Sequence, residues 1–273
     1  MAKKKTFDYK NPPEKLTDHI FFGLKLDEAQ ERFRDAVWDP EKQIVFVDAP
    51  AGSGKSLLAV ATSVLLVRCG RYDEIVYVMH SVGDRQGFLP GTISEKSSVW
   101  FEALYQALAT AGENPDRVIR GTSMTQMEAE KTGEAYVTAI TDSYLRGSNI
   151  GGGEKRSILI VDEAQNFDEF SLRKVLTRAC EGTKVIVIGH HGQCDLYHPD
   201  ASGFRKCIRY FESKRDPRVA ICSLQQNYRG FVSRTADEPW IVPERPLPKE
   251  RGIEEKLPFS DLPSGCIGVV IPS

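Results

Sequence analysis

Residues 45–60 read VFVDAPAGSGKSLLAV, and their reading decides the fold. Apolar and β-branched residues come first, then small residues and glycines, then a lysine, a serine and an apolar run, which is the order strand, turn, helix. The turn matches the phosphate-binding pattern G-x-x-x-x-G-K-[ST], with Ala49 where the first glycine is usual. Alanine is accommodated there if its φ is negative. In such a turn Gly52 and Gly54 allow backbone N–H groups to face a phosphate, and the helix N-terminus adds partial positive charge. Lys55 reaches the β- and γ-phosphates, and Ser56 can ligate Mg²⁺. Ala51, Gly52, Ser53, Gly54, Lys55, Ser56 and Leu57 are therefore the candidate phosphate-binding residues. The competing reading is a glycine-rich turn without chemistry.

Outward from this turn, short apolar runs alternate with segments of helical period. The runs are IVFVD (44–48), IVYVM (75–79), YVTAI (136–140), ILIVD (158–162), VIVIG (185–189) and VAICSL (219–224). Near-continuous apolar strands suit a parallel sheet covered by helices on both faces. Helices are expected over 55–69, 94–110, 167–180 and 202–213. The expected class is α/β, a P-loop NTPase (RecA-like) core over 19–237. A flexible arm is expected over 1–18 and a Pro-rich irregular tail over 238–273, where seven of the fifteen prolines lie.

The 273 residues suffice for one substantial core. Lys plus Arg (36) nearly cancels Asp plus Glu (38), so no global positive field points to nucleic acid, and such contact needs a local patch. The six cysteines form no C-x-x-C pair and read as reduced thiols. The basic start lacks an apolar stretch, and the longest apolar run, 57–67, is too short to span a bilayer, so a cytoplasmic protein without membrane contact is expected.

The run ILIVDEAQN (158–166) ends a buried strand on two acids. On a strand neighbouring the phosphate loop, Asp162 is the expected Mg²⁺ partner, and Glu163 the general base that polarises water. The pair implies hydrolysis; its alternative is a solvated loop.

Together these stretches resemble the PhoH-like ATPases, relatives of the superfamily one helicases. APAGSGKS and ILIVDEAQN are similar to their nucleotide motifs, and GFLPGTISEK (87–96), YLRG (144–147) and LTRACEGTKVIVIGHHGQCDL (176–196) to three further ones. The resemblance runs over 22–238. It implies ATP and Mg²⁺ as cofactors, with Gln193 sensing the γ-phosphate. His190 stands where the family pattern has Asp, which removes a carboxylate near the metal. SLQQNYRG (223–230) resembles the helicase motif L-x-x-N-Y-R and makes Arg229 a candidate arginine finger. Gln30 resembles the adenine-reading glutamine, which implies ATP over GTP; the alternative is a Gln on a solvated helix face.

A second reading of the histidine-rich loop is zinc held by His190, His191, Cys194 and His198, although the spacing fits no common zinc pattern. Arg146 and Arg178 have three candidate partners: nucleotide, a neighbouring subunit or a nucleic-acid backbone; surface ion pairing is the equal alternative. Phe88 with Arg85 could stack and pair with a single strand, or Phe88 could anchor its loop. The run Lys3 to Lys5 is a phosphate contact or a solubilising end.

Helicases of this kind place nucleotide between two domains, whereas this length fits one. Either Arg229 folds back in cis, or subunits close a head-to-tail homo-oligomeric ring, expected to be a hexamer. The leading function is ATP hydrolysis coupled to RNA or single-stranded DNA. A phosphotransferase and a non-catalytic nucleotide switch are its rivals, the latter favoured by Ala49 and His190.

Overall fold

The computed structural model describes residues 7–16, 20–80, 101–145, 147 and 149–238. Lys3, Lys5, Arg85, Phe88, Arg146, the 87–96 segment and the residues beyond 238 lie outside the described residues. The chain divides into two units, Met1–Asp237 and Glu238–Ser273, and the fold is that of the first.

Six strands form one parallel sheet: β3 (Ile44–Asp48), β4 (Glu74–Met79), β5 (Val137–Thr141), β6 (Ser157–Val161), β7 (Lys184–Gly189) and β8 (Val219–Ser223). A two-stranded hairpin of β1 (Ile20–Phe21) and β2 (Leu24–Lys25) precedes them. The order across the sheet is β5-β4-β6-β7-β3-β8. One expectation is corrected here: β6, which leads to the acidic pair, does not neighbour the phosphate-loop strand, because β7 lies between β6 and β3.

The strands read as unbroken apolar runs because both faces are covered. Alternate residues Val45, Val47, Ile75, Tyr77, Ile158, Ile160, Ile186 and Ile188 point to one core, which they share with α1 (Glu28–Trp38), α2 (Lys55–Arg68) and α3 (Glu102–Thr110). Phe46, Val76, Val78, Leu159, Val161 and Val187 face the other, packed by Leu172 and Val175 of α6 (Glu169–Leu176) and Phe204 of α7 (Phe204–Ser213). This is the two-faced burial that β-branched parallel strands require. Two short helices between α3 and β5, α4 (Pro115–Val118) and α5 (Met124–Lys131), and α8 (Phe231–Asp237) after β8 carry little apolar periodicity and were not anticipated.

The expected loose arm is corrected for residues 7–16. The Trp38 indole N–H donates to the carbonyls of Pro13 and Glu14 at 3.2 and 3.1 Å, and Arg34 donates to that of Leu16 at 3.0 Å. The Phe7 ring meets Trp38 edge-on at 6.2 Å, so aromatic burial pins a polar stretch.

Candidate nucleotide site

The phosphate loop leaves β3 at Asp48 and enters α2 at Lys55. Gly52 and Gly54 hold φ of +72° and +84°, the left-handed conformation glycine adopts without strain. Ala49 is not among the positive-φ residues, so its lack of glycine is tolerated, as expected. Gly54 caps α2 with no side-chain hydrogen bond, which leaves the first N–H groups of a helix buried along most of its length free for an anion. Ser53 is 1% exposed, and its buried Oγ has no hydrogen-bond partner among the described residues. An unpaired hydroxyl beside an uncapped helix start fits a phosphate oxygen.

Asp162 emerges from β6 and is 1% exposed. Its carboxylate accepts from the Tyr77 hydroxyl, from the Glu163 backbone N–H at 2.7 Å and from the Ser56 hydroxyl. Burial, reinforced by the Glu163 charge, pushes its pKa up; the Tyr77 and Ser56 hydrogen bonds and the Lys55 charge oppose this. Lys55, Ser56, Asp162 and Glu163 thus converge although β6 is one strand removed. A carboxylate and a hydroxyl as oxygen donors suit Mg²⁺.

Glu163 sits at φ +51°, left-handed for a non-glycine, and its carboxylate accepts from Gln165 Nε2 at 2.5 Å. The other end of the Gln165 amide accepts the His190 backbone N–H at 2.9 Å. Asn166 makes a reciprocal pair with Asp195, donating at 3.0 Å and accepting its backbone N–H at 2.8 Å. Gln165 and Asn166, buried, therefore stitch the acidic segment to the loop after β7, and neither was anticipated as a site residue. Their one sequence signal is two amides directly after an acidic pair.

Three further expectations meet a different geometry. Gln30 is 7% exposed and not on a solvated face: its oxygen accepts the Asp27 N–H at 3.1 Å in a capping box, and its Nε2 donates to the Ser53 carbonyl at 2.9 Å. Both ends of its amide are thus engaged by the protein, one of them by the phosphate loop. Gln193 is exposed, and its Nε2 donates to Asp237 of α8 at 2.9 Å. Arg178 is placed away from the phosphate loop: the adjacent Ala179 and Cys180 line a cavity with Gln43 and Ile44, at the opposite end of β3.

The 227–229 segment lies directly on the loop. The Tyr228 N–H donates to the Gly52 carbonyl at 2.9 Å, and a Cβ on Gly52 would stand 2.7 Å from Arg229 Cγ. Arg229 therefore folds back within its own chain. Tyr228 also donates to Asp27 at 2.5 Å, which ties this segment to the start of α1. The zinc set does not assemble: Cys194 Sγ donates to the Gln165 carbonyl at 3.2 Å and His198 packs on Tyr197. Among the described residues, His190 and His191 converge with Asp48 instead.

A parallel sheet whose strand β3 turns through glycines into a buried helix, with a buried acid meeting the lysine and serine of that turn, defines a P-loop NTPase domain. A family model described as PhoH-like protein matches residues 25–236. The chain belongs to the PhoH-like protein family. A PhoH-like protein of Mycobacterium leprae (strain TN) is 32% identical over 211 residues, 76% of this chain and 56% of that one. Protein PhoH of Escherichia coli (strain K12) is 28% identical over 200 residues, 72% of this chain and 52% of that one. The chain thus spans about half the length of these curated relatives. Among solved structures, the large terminase of a thermophilic bacteriophage is similar at a TM-score of 0.45 and 12% identity, covering 74% of this chain and 46% of that one. The Pif1 helicase from Candida albicans gives 0.37 and 16%, covering 76% and 41%. Among the described residues no helix is long and apolar enough to cross a membrane.

Proposed function

We propose that the protein binds ATP with Mg²⁺ and hydrolyses it, and that turnover is coupled to RNA or single-stranded DNA. The observation that carries the hydrolytic half is the meeting of Lys55 and Ser56 with Asp162, beside a Glu163 whose carboxylate is held by Gln165. In this reading the loop N–H groups and Lys55 bind the β- and γ-phosphates, and Ser56 and Asp162 would hold the metal. Bound Mg²⁺ supplies charge neutralisation on the phosphate oxygens. Glu163 takes the proton of the attacking water as general base. Arg229 is the candidate finger, acting in cis, which its stem's contact with Gly52 supports. Such a group is worth roughly 10³ to 10⁵ in rate.

The nucleic-acid half is supported by family membership and belongs to the proposal alone. Phosphate release by wild type, Lys55→Ala and Glu163→Gln tests the whole. We expect release that rises with single-stranded RNA or DNA and falls by at least about 10²-fold in either variant. No release by wild type means a nucleotide switch, and full turnover in Lys55→Ala means a contaminant. The hexameric ring is a separate proposal, since Arg229 in cis does not require a neighbour; a monomeric mass by light scattering with nucleotide present overturns it.

A further inference from the structure

We propose that Asp48, His190 and His191 form a binding site for a divalent first-row transition ion of the zinc or cobalt kind, tying the end of β3 to the loop after β7. The parallel pairing builds it. Asp48 is in register with Gly189, so the last residue of β3 and the two residues after β7 share one edge of the sheet. One ligand atom from each of the three lies within 4.8 Å of the others. His191 Nδ1 stands 2.7 Å from Asp48 Oδ2, and His190 Nδ1 stands 3.8 Å from Asp48 Oδ1.

His190 Nδ1 is buried and, among the described residues, has no hydrogen-bond partner. A ring nitrogen shut from water, with a carboxylate facing it just beyond hydrogen-bond reach, is explained if both ligate one cation. Its other nitrogen, Nε2, faces Asp237 Oδ1 at 3.9 Å. Carboxylates in that position orient metal-bound imidazoles and raise their basicity. Asp237 also accepts from Gln193, so an ion on His190 would stiffen the same loop that carries Gln193. Two imidazoles and one carboxylate suit zinc, cobalt or nickel better than Mg²⁺. This set differs from the Ser56 and Asp162 oxygens, and it stands whether or not the chain hydrolyses ATP.

The test is titration of the full chain, free of nucleotide, with Co²⁺ followed by visible absorption and with Zn²⁺ in competition with a chromophoric chelator. We expect one equivalent bound, with cobalt ligand-field bands and no thiolate charge-transfer band. A lost outer partner already weakens metal affinity by about 10- to 100-fold, so Asp237→Asn should do that and His190→Ala or His191→Ala at least as much. Cys194→Ser and His198→Ala should leave affinity unchanged. The unfolding midpoint of each variant establishes that it is folded; His191 is exposed, so its substitution spares the core. No saturable binding by wild type, affinity that survives both histidine substitutions, or a thiolate band that Cys194→Ser abolishes overturns the proposal.

Discussion

Tyr77→Phe isolates the contact that holds the buried acid. Tyr77 is fully buried on β4, with its ring edge-on to Phe101 at 6.1 Å, and its hydroxyl donates to Asp162. Phenylalanine keeps the ring and removes only the donor, so no cavity contributes. A hydrogen bond to a charged group is worth about 1.5 to 3 kcal/mol. For a domain of this size that lowers the thermal midpoint by roughly 3 to 12 °C. The assay is reversible unfolding of the nucleotide-free protein at a pH above the folded-state pKa of Asp162, where the carboxylate is charged, repeated in an Asp162→Asn background. There the amide oxygen can accept from Glu163 N–H while its NH₂ faces the Tyr77 and Ser56 hydroxyls, which can accept. The bond to residue 162 becomes neutral, and the effect should shrink to about 0.5 to 1.5 kcal/mol. Burial raises the Asp162 pKa above its ordinary 3.8, so the folded state binds that proton more tightly. The stability it confers is full below pH 3.8 and is lost as pH rises through the folded value, and Asp162→Asn abolishes that slope. An equal loss in both backgrounds, or a loss under about 0.5 kcal/mol in the first, refutes the assignment.

Gly52→Ala should destabilise by at least about 1 to 2 kcal/mol, because it forces alanine to φ +72° with its Cβ 2.5 Å from Asn227 Oδ1. Urea unfolding reads this, and a neutral result refutes both the left-handed backbone at Gly52 and the seating of the 227–229 segment on the loop. Gln165→Ala should slow phosphate release about 10- to 100-fold, part of the 10²–10⁴ a general base supplies, with nucleotide affinity nearly unchanged. An affinity loss equal to the rate loss would instead place Gln165 in binding. Lys184 is buried with Nζ donating to the carbonyls of Asp39 and Lys42, and burial lowers its pKa from 10.5 to about 8. The unfolded chain therefore binds the extra proton between those values, and this group's contribution to stability rises with pH across the window. Relative to Lys184→Met, wild type should gain up to about 3 kcal/mol from pH 8 to 10.5, measured by unfolding at both ends.

The sheet was legible because both of its faces are buried. IVFVD, ILIVD and VIVIG have no polar residue to interrupt them, and the observed strands start within a residue of the expected positions. The order of strands was not legible, since every parallel neighbour offers the same apolar face and register partner. The missed helices α4 and α5 begin on local caps instead of apolar stripes: Asn114 and Ser123 accept the N–H groups of Asp116 and Gln126. Residues 7–16 look like an arm because their sequence is polar, and their anchoring falls to Phe7 and the distant Trp38.

At the site, chemistry confined to one turn could be read directly, and chemistry assembled across strands could not. Gly52, Gly54, Lys55 and Ser56 are candidates by their own backbone and spacing, so a single window of sequence suffices to propose them. Tyr77 looks like any buried strand residue, and only the β4–β6 pairing, with Tyr77 beside Ile160, puts its hydroxyl at Asp162. Asp48 likewise looks like a strand end until β7 brings His190 and His191 to it. Resemblance points to Gln30 and Gln193 as nucleotide contacts because it matches residue types; the geometry shows both amides occupied by Asp27, Ser53 and Asp237. If Gln193 is to sense a γ-phosphate, it must first release Asp237. A residue at the end of an exposed seven-residue helix is well suited to be released, because few buried contacts oppose its departure. In the function proposed above, the hydrogen bond between Gln193 and Asp237 would therefore be where nucleotide binding and α8 compete for one side chain.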